Sequence, residues 1–324
     1  MLKKTIRRLG ALAMVLAMAV SVFAVNASAV ETVNEKQDVT ITKNISADDN
    51  VRVPGATYTF TIAAGTADST RNIYAGEMDA ISKAANDIVF TEGGAKTGNT
   101  TFTITAEKFT KPGIYRYTVT ETASPLPDGM TLASPKTMLV YVEQVNGVNS
   151  IAAVIVDGAD ENSKTDFSFT NTYATNNMTV KKVITGNQAN LSGEWEFEIT
   201  VSGQAGEKFA TSKDVVLESG VPTKVKLGHN QTITIYGLSE SDTYTVKEVK
   251  ANTDGYVTTI NGEATDNGET SGNAKAADVS IEYKNKKDIA TPGGVIMTIA
   301  PYALMVVLAG AFAVVFLTRR NRAE

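Results

Sequence analysis

Residues 115–121 read Tyr115-Arg116-Tyr117-Thr118-Val119-Thr120-Glu121, and residues 244–248 read Tyr244-Thr245-Val246-Lys247-Glu248. In both runs the apolar side chains fall on every second position, and they are aromatic or β-branched. That period, with those residue types, marks a half-buried strand whose alternate side chains face one core. Both apolar phases end on a glutamate, Glu121 and Glu248. A carboxylate on the inward face is costly, so these two residues need an explanation.

The same period runs outward along the chain. Val39 and Ile41 alternate with Thr40 and Thr42, Tyr58-Phe60-Ile62 with Thr59 and Thr61, and Phe102 and Ile104 with threonines. Pro54-Gly55, Gly93-Gly94, Lys111-Pro112-Gly113, Asp128-Gly129 and Asn146-Gly147 punctuate the runs as turns. Many short strands separated by such turns specify an all-β chain of antiparallel sandwiches. Met78 to Asp87 reads as one short helix.

The second half repeats the first. Val180-Lys181-Lys182 answers Ile41-Thr42-Lys43, and Trp195-Glu196-Phe197-Glu198-Ile199 answers Tyr58-Thr59-Phe60-Thr61-Ile62. The two glutamate runs answer each other, and Ile281-Glu282-Tyr283-Lys284-Asn285 answers Phe167-Ser168-Phe169-Thr170-Asn171. Four matches in one order place two tandem domains at residues 30–175 and 176–290. Each is long enough for its own core.

Three polar residues end apolar phases in each domain. In the first they are Lys43, Glu121 and Asn171. In the second they are Lys182, Glu248 and Asn285, where the phase through Met178 and Val180 selects Lys182 over Lys181. Three readings are open: solvated residues at strand ends, a buried ion pair, or covalent chemistry. Desolvation lowers a lysine pKa and raises that of a glutamate. A neutral amine is a nucleophile, and a protonated carboxyl polarises a carbonyl and moves protons. Attack of the amine on the Asn carboxamide expels ammonia and leaves a side-chain amide. Repetition of the trio in both domains favours the chemical reading.

The two ends read as addresses. Residues 1–29 have a basic start (Lys3, Lys4, Arg7, Arg8), an apolar run from Leu9 to Val25 and the small residues Ala27-Ser28-Ala29. This reads as a secretory signal, with an uncleaved membrane anchor as the rival reading and the mature chain expected to start at Val30. Residues 291–324 combine Thr291-Pro292-Gly293-Gly294, an apolar stretch from Val295 to Leu317, and Arg319, Arg320 and Arg322. The stretch has the length of a membrane span with its basic end in the cytoplasm.

Composition removes several function classes. The 324 residues hold no cysteine and one histidine, which excludes disulfides, thiol nucleophiles and Cys- or multi-His-ligated metals. His229 lies in Leu227-Gly228-His229-Asn230-Gln231, which reads as a turn and not as part of a triad. The net charge is −5. Loss of both ends removes four basic residues from one and three arginines and a glutamate from the other, taking it to −11. That suits an exported surface and excludes a nucleic-acid binder. Glu194, Glu196 and Glu198 superficially resemble paired glycosidase carboxylates, but they alternate with Trp195, Phe197 and Ile199 as the wet face of a strand.

With these residues in view, the chain resembles the isopeptide-forming pilin domains of Gram-positive bacteria, the FctA-like and Cna B-type families. The resemblance rests on Lys43, Tyr117-Thr118-Val119-Thr120-Glu121 and Phe167-Ser168-Phe169-Thr170-Asn171, and on their repeats. It spans nearly all of residues 38–290. It implies two tandem Ig-like, Cna B-type β-sandwiches, with Lys43 bonded to Asn171 under catalysis by Glu121, and Lys182 bonded to Asn285 under catalysis by Glu248. No cofactor is implied. Its nearest form is the major pilin, or backbone subunit, of sortase-assembled pili.

The C-terminal tripartite arrangement is similar to a sortase sorting signal. Gly293 stands where the family has threonine, so the implied cut is Gly293–Gly294 and the implied enzyme a dedicated pilin sortase. The implied partners are that sortase, neighbouring copies of the same chain, cell-wall peptidoglycan and a host ligand if there is one. The implied location is the pilus on the bacterial cell wall, after transient membrane anchoring. By position relative to Asn171, Lys164 is the implied intersubunit acceptor, with Lys136 as the alternative. A wall-anchored adhesin, stalk or basal pilin is the competing reading, although no further large binding domain is visible.

Overall fold

The period-two runs are strands. The computed structural model describes residues 32–82, 87–157, 167–274, 277–289 and 294–320, with side chains in the last segment from Tyr302 to Val315. Every sheet pairing falls either within residues 36–173 or within residues 176–286. The chain is all-β in both halves.

In the first half one sheet has the order Thr97–Thr105, Lys36–Ser46, Ser168–Tyr173, Met130–Thr131. The facing sheet has the order Ile88–Phe90, Ala56–Ala64, Gly113–Ser124, Lys136–Val145, Val148–Asp157, with Ile73–Ala75 beside Gly113–Ser124. The second half repeats this plan. Thr232–Leu238, Asn176–Thr185, Val279–Lys286, Val257–Ile260 and Glu263–Ala264 form one sheet. Thr223–Gly228, Glu194–Ser202, Thr243–Glu248 and Glu269–Asn273 form the other. Between each pair of sheets lies one apolar core. The first contains Ile41, Tyr58, Phe102, Val119 and Phe169, and the second contains Val180, Phe197, Ile199, Val246 and Tyr283. Side chains interdigitating between two sheets make a sandwich.

One feature of this topology positions the polar trios. In each half the first strand pairs in parallel with the last, while the strand carrying the glutamate lies in the opposite sheet. Lysine and asparagine therefore enter the core from one side and glutamate from the other.

The turn signals at Gly93, Asp128-Gly129 and Asn146-Gly147 act as turns, whereas Pro54-Gly55 is irregular and Lys111-Pro112 is a bend. Asn146 and Gly147 both have positive φ, 51° and 83°, and join the hairpin strands Lys136–Val145 and Val148–Asp157. A two-residue connection with both φ positive matches the right-handed strand twist, which is why Asn-Gly occupies it. His229 and Asn230 also form a turn, and His229 Nδ1 accepts the backbone N–H of Ile184 at 3.0 Å.

The helix expected over Met78 to Asp87 is not formed. Only Met78–Ala80 makes a single 3-10 turn, and Glu77 offers it no side-chain cap. Ile81 is extended and bridges to Ile104, so a β-branched residue is taken by the sheet at the point where a helix would need to continue. Residues 83–86 lie outside the described residues.

Gly294–Arg320 is a helix of 27 residues. Its described side chains, Tyr302 to Val315, are exposed. Among the described residues no helix is long and apolar enough to cross a membrane.

Polar contacts join the halves. Tyr173 donates to Glu207 Oε1 at 3.1 Å, Ser241 to Asp128 Oδ2 at 2.8 Å, and Gln204 Nε2 to the Leu126 carbonyl at 3.1 Å. Tyr236 of the second half packs against the first core.

Candidate functional site

Lys43 and Asn171 are brought together by register. In the parallel pair Lys36–Ser46 and Ser168–Tyr173, Lys43 stands opposite Phe169 and Ile45 opposite Asn171. Residues two apart share a face, so lysine and asparagine project into the same core one step apart. In the opposite sheet Glu121 stands opposite Phe60. The second half uses the same register: Lys182 opposite Tyr283, Ile184 opposite Asn285, and Glu248 opposite Phe197.

All six residues are buried. Lys43, Asn171, Lys182, Glu248 and Asn285 are 0% exposed and Glu121 is 4% exposed. The solvated strand-end reading therefore fails. At the paired lysines Lys181 points outward to Glu282 at 3.4 Å while Lys182 turns inward, as the apolar phase requires.

In the first site Glu121 Oε1 lies 3.2 Å from Lys43 Nζ and accepts from Asn171 Nδ2 at 3.3 Å. Lys43 also donates to the carbonyls of Asn44 at 2.7 Å and Phe169 at 3.2 Å. The Asn171 carboxamide oxygen accepts the backbone N–H of Ala133 at 2.8 Å. In the second site Glu248 Oε2 lies 2.7 Å from Lys182 Nζ, and Glu248 Oε1 accepts from Asn285 Nδ2 at 2.5 Å. Among the described residues Glu121 Oε2 and Asn285 Oδ1 have no hydrogen-bond partner.

The electrostatics follow from the burial. Desolvation lowers the Lys43 pKa, with Glu121 opposing, and brings that of Lys182 down to about 8, with Glu248 opposing. Desolvation raises that of Glu121 against the opposing effects of Lys43, Asn171 and the Ala133 N–H. In the first site burial thus moves the pKa values of Lys43 and Glu121 toward each other, which eases proton transfer from ammonium to carboxylate.

Aromatic rings wall each amine. Lys43 Nζ lies 4.9 Å from the Tyr58 ring centroid, and Lys182 Nζ lies 5.1 Å from that of Trp195. Phe60 packs on Phe169 at 5.1 Å, and Phe197 on Tyr283 at 5.0 Å. The sequence reading matched Tyr58-Phe60 to Trp195-Phe197 as repeat landmarks and missed that their rings shield the lysines. The signal was present in the order of the repeat.

In both sites the carboxyl faces the carboxamide nitrogen, not its oxygen. The sequence reading allowed the carboxyl to polarise the carbonyl, whereas its position here suits proton transfer between the amine and the departing nitrogen. Thr291, Pro292, Gly293 and Lys164 lie outside the described residues, and Gly294 begins the C-terminal helix. Glu196 and Glu198 form a wet face, with Glu196 paired to exposed Lys224 at 2.9 Å. Among the described residues no group of three or more His, Asp or Glu side chains is placed to hold a metal.

The Lys–Glu–Asn geometry of the first half coincides with a family match over residues 39–174, described as a Spy0128-like isopeptide containing domain. Residues 176–287 match a family described only as a domain of unknown function, DUF7601. The lysine, glutamate and asparagine of the first matched segment thus recur in register within a second whose family description names no such chemistry.

Over 90% of its length the chain is 27% identical to a pilin of Streptococcus pyogenes serotype M1, covering 93% of that protein. The fold is that of the major pilin from Streptococcus pyogenes, with a TM-score of 0.57 and 22% identity over 78% of this chain and 99% of the other. A second major pilin, T3.2 from Streptococcus pyogenes serotype GAS13637, gives 0.54 and 24% over 79% and 99%. The resemblance to Gram-positive pilin backbone subunits read from the sequence agrees with these comparisons.

Proposed function

We infer that the chain is a pilin, the structural subunit of a pilus shaft, and that its two buried trios close intramolecular amide bonds. The observation that carries this reading is the twofold occurrence of one geometry, with amine, carboxyl and carboxamide buried together at matched strand positions.

In the first domain the Lys43 ammonium passes its proton to Glu121. The neutral amine attacks the Asn171 carboxamide carbon. Glu121, already hydrogen-bonded to Nδ2, delivers a proton to that nitrogen, and the C–N bond breaks. One ammonia leaves and one Lys–Asn amide remains, and Glu121 takes up the proton shed by the attacking nitrogen and hands it to the ammonia, which departs as ammonium and leaves the carboxylate as it began. Lys182, Glu248 and Asn285 follow the same course in the second domain. Each site turns over once and needs no cofactor.

The location of the bonds gives them a mechanical purpose. First and last strands are parallel neighbours, so tension between the domain's two ends shears the ladder between them. An amide between those strands carries the tension directly from one to the other. The chain between Lys43 and Asn171, and that between Lys182 and Asn285, is then bypassed. Closing a loop of about 100 residues also stabilises by about 4–5 kcal/mol in the chain-entropy model. The chain has no cysteine to do this with a disulfide.

For assembly, a pilin sortase cuts Gly293–Gly294 within Thr291-Pro292-Gly293-Gly294 and joins the Gly293 carbonyl to Lys164 of the next copy. The C-terminal helix and arginines hold the chain at the membrane until cutting, and the finished polymer is linked to peptidoglycan. The apolar composition of Val295–Leu317, the following arginines and the polar setting of Lys164 support this reading. Surface extracts of the producing cells, boiled in detergent and probed with antiserum to residues 30–293, should show a high-mass ladder. Monomer alone would refute the shaft.

A further inference from the structure

The two sites differ at the carboxamide oxygen. In the first, the carboxamide oxygen of Asn171 accepts the Ala133 N–H at 2.8 Å. In the second, Asn285 Oδ1 is buried and has no partner among the described residues. We propose that the backbone N–H of Ala133 is an oxyanion donor for amide formation at Asn171, and that the second site works without one. This rests on the crosslinking reading above.

The sheet explains the difference. Beside the asparagine strand of the first half, Met130–Thr131 pairs with Tyr173 and Thr172 and then stops. The next residues leave the ladder, and the N–H of Ala133 turns to the Asn171 side chain instead of a backbone carbonyl. In the second half Val257–Ile260 continues past the same point, with Thr258 opposite Asn285. The neighbouring backbone is held in the ladder there, and none of its N–H groups reaches the carboxamide oxygen.

The consequence is chemical. When the Lys43 amine forms its bond to the Asn171 carbon, the carbonyl π electrons move onto Oδ1. The nascent charge develops on the atom that Ala133 N–H already contacts, at a hydrogen-bond length suited to an oxyanion. As the tetrahedral centre collapses, the electrons return to re-form C=O, and the bond to Nδ2 breaks. Nδ2 takes its proton from Glu121 and leaves as ammonia, and the Glu121 carboxylate so formed takes up the proton that the attacking nitrogen sheds. The donor is fixed by the fold, so it needs no reorganisation in a site from which water is excluded. A backbone donor also orients the carboxamide, placing Nδ2 toward Glu121 Oε1 before attack.

Removing one such donor lowers a rate by about 10²–10³-fold. The test replaces the Ala133 amide by an ester, introducing lactic acid at position 133 of the full chain by nonsense suppression in cell-free translation. Ala133→Gly, which keeps the N–H, is the packing control. Samples quenched over time are digested, and peptides bearing the 43–171 and 182–285 links are quantified by mass spectrometry. Protease resistance of the first domain reports folding, and Ala133→Pro is a second variant without the N–H. The proposal requires the 43–171 link to slow by about 10²–10³-fold in the folded ester variant. The 182–285 link and Ala133→Gly should keep the parental rates. A parental rate in the ester variant overturns it, as does equal slowing in Ala133→Gly. Absence of both links from the folded parent overturns the crosslinking reading itself, and this role with it.

Discussion

Lys43 stands opposite Phe169, two residues short of Asn171, in a parallel pair formed by the first and last strands of its domain. Lys182 stands opposite Tyr283, two residues short of Asn285, in the equivalent pair. Parallel pairing joins residues distant in sequence and gives them a common inward face. The register thereby delivers an amine and a carboxamide to one glutamate in each half.

The asparagines should contribute unequally to stability. Asn285→Ala removes the second link at a cost of about 4–5 kcal/mol from loop closure alone. Asn171→Ala removes the first link and also strands the Ala133 N–H, adding about 1–3 kcal/mol. Chemical denaturation of the two variants should show the larger loss in Asn171→Ala.

The aromatic wall should control the second reaction. Trp195→Ala admits water to Lys182 and returns its pKa toward the ordinary lysine range from about 8. The neutral fraction at pH 7 then falls by up to about three-hundredfold. A time course of the 182–285 peptide should slow accordingly, while the 43–171 peptide keeps its rate.

Stability should fall as pH rises towards neutrality. Burial, then Asp242, pushes the Glu207 pKa up to about 7, and Tyr173 donates to this carboxyl across the junction of the halves. An unfolded glutamate titrates near ~4.3. Between those values the folded state binds more protons, so this contribution is full below ~4.3 and is lost as pH rises through about 7. Burial raises the pKa of Asp242 also, which acts in the same direction. The swing from Glu207 is about 4 kcal/mol at most. Thermal unfolding at pH 5 and pH 8 should show it, and Glu207→Gln should reduce it.

Polymerisation has its own test. Lys164→Ala in cells with the matching sortase should abolish the ladder and leave monomer. A ladder that persists would move the acceptor to another lysine, with Lys136 examined next.

Much of the fold and both trios were legible because strand period is two, and a phase that carries Val39 and Ile41 inward carries Lys43 inward with them. The repeat then supplied an internal check that a single trio lacks. Ala133 was not legible, since its role belongs to a backbone N–H released where a short strand ends, and no side chain records that. The Tyr173–Glu207 contact joins a strand residue of the first half to a loop residue of the second, beyond the reach of local alternation. Around Met78, a helical spacing was overridden when Ile81 joined Ile104 in a bridge.

The most direct test is the intact mass of recombinant residues 30–293 beside Glu121→Ala and Glu248→Ala. The parent should weigh less than its sequence by two ammonias, and each variant by one. A folded parent at its full sequence mass would contradict the account.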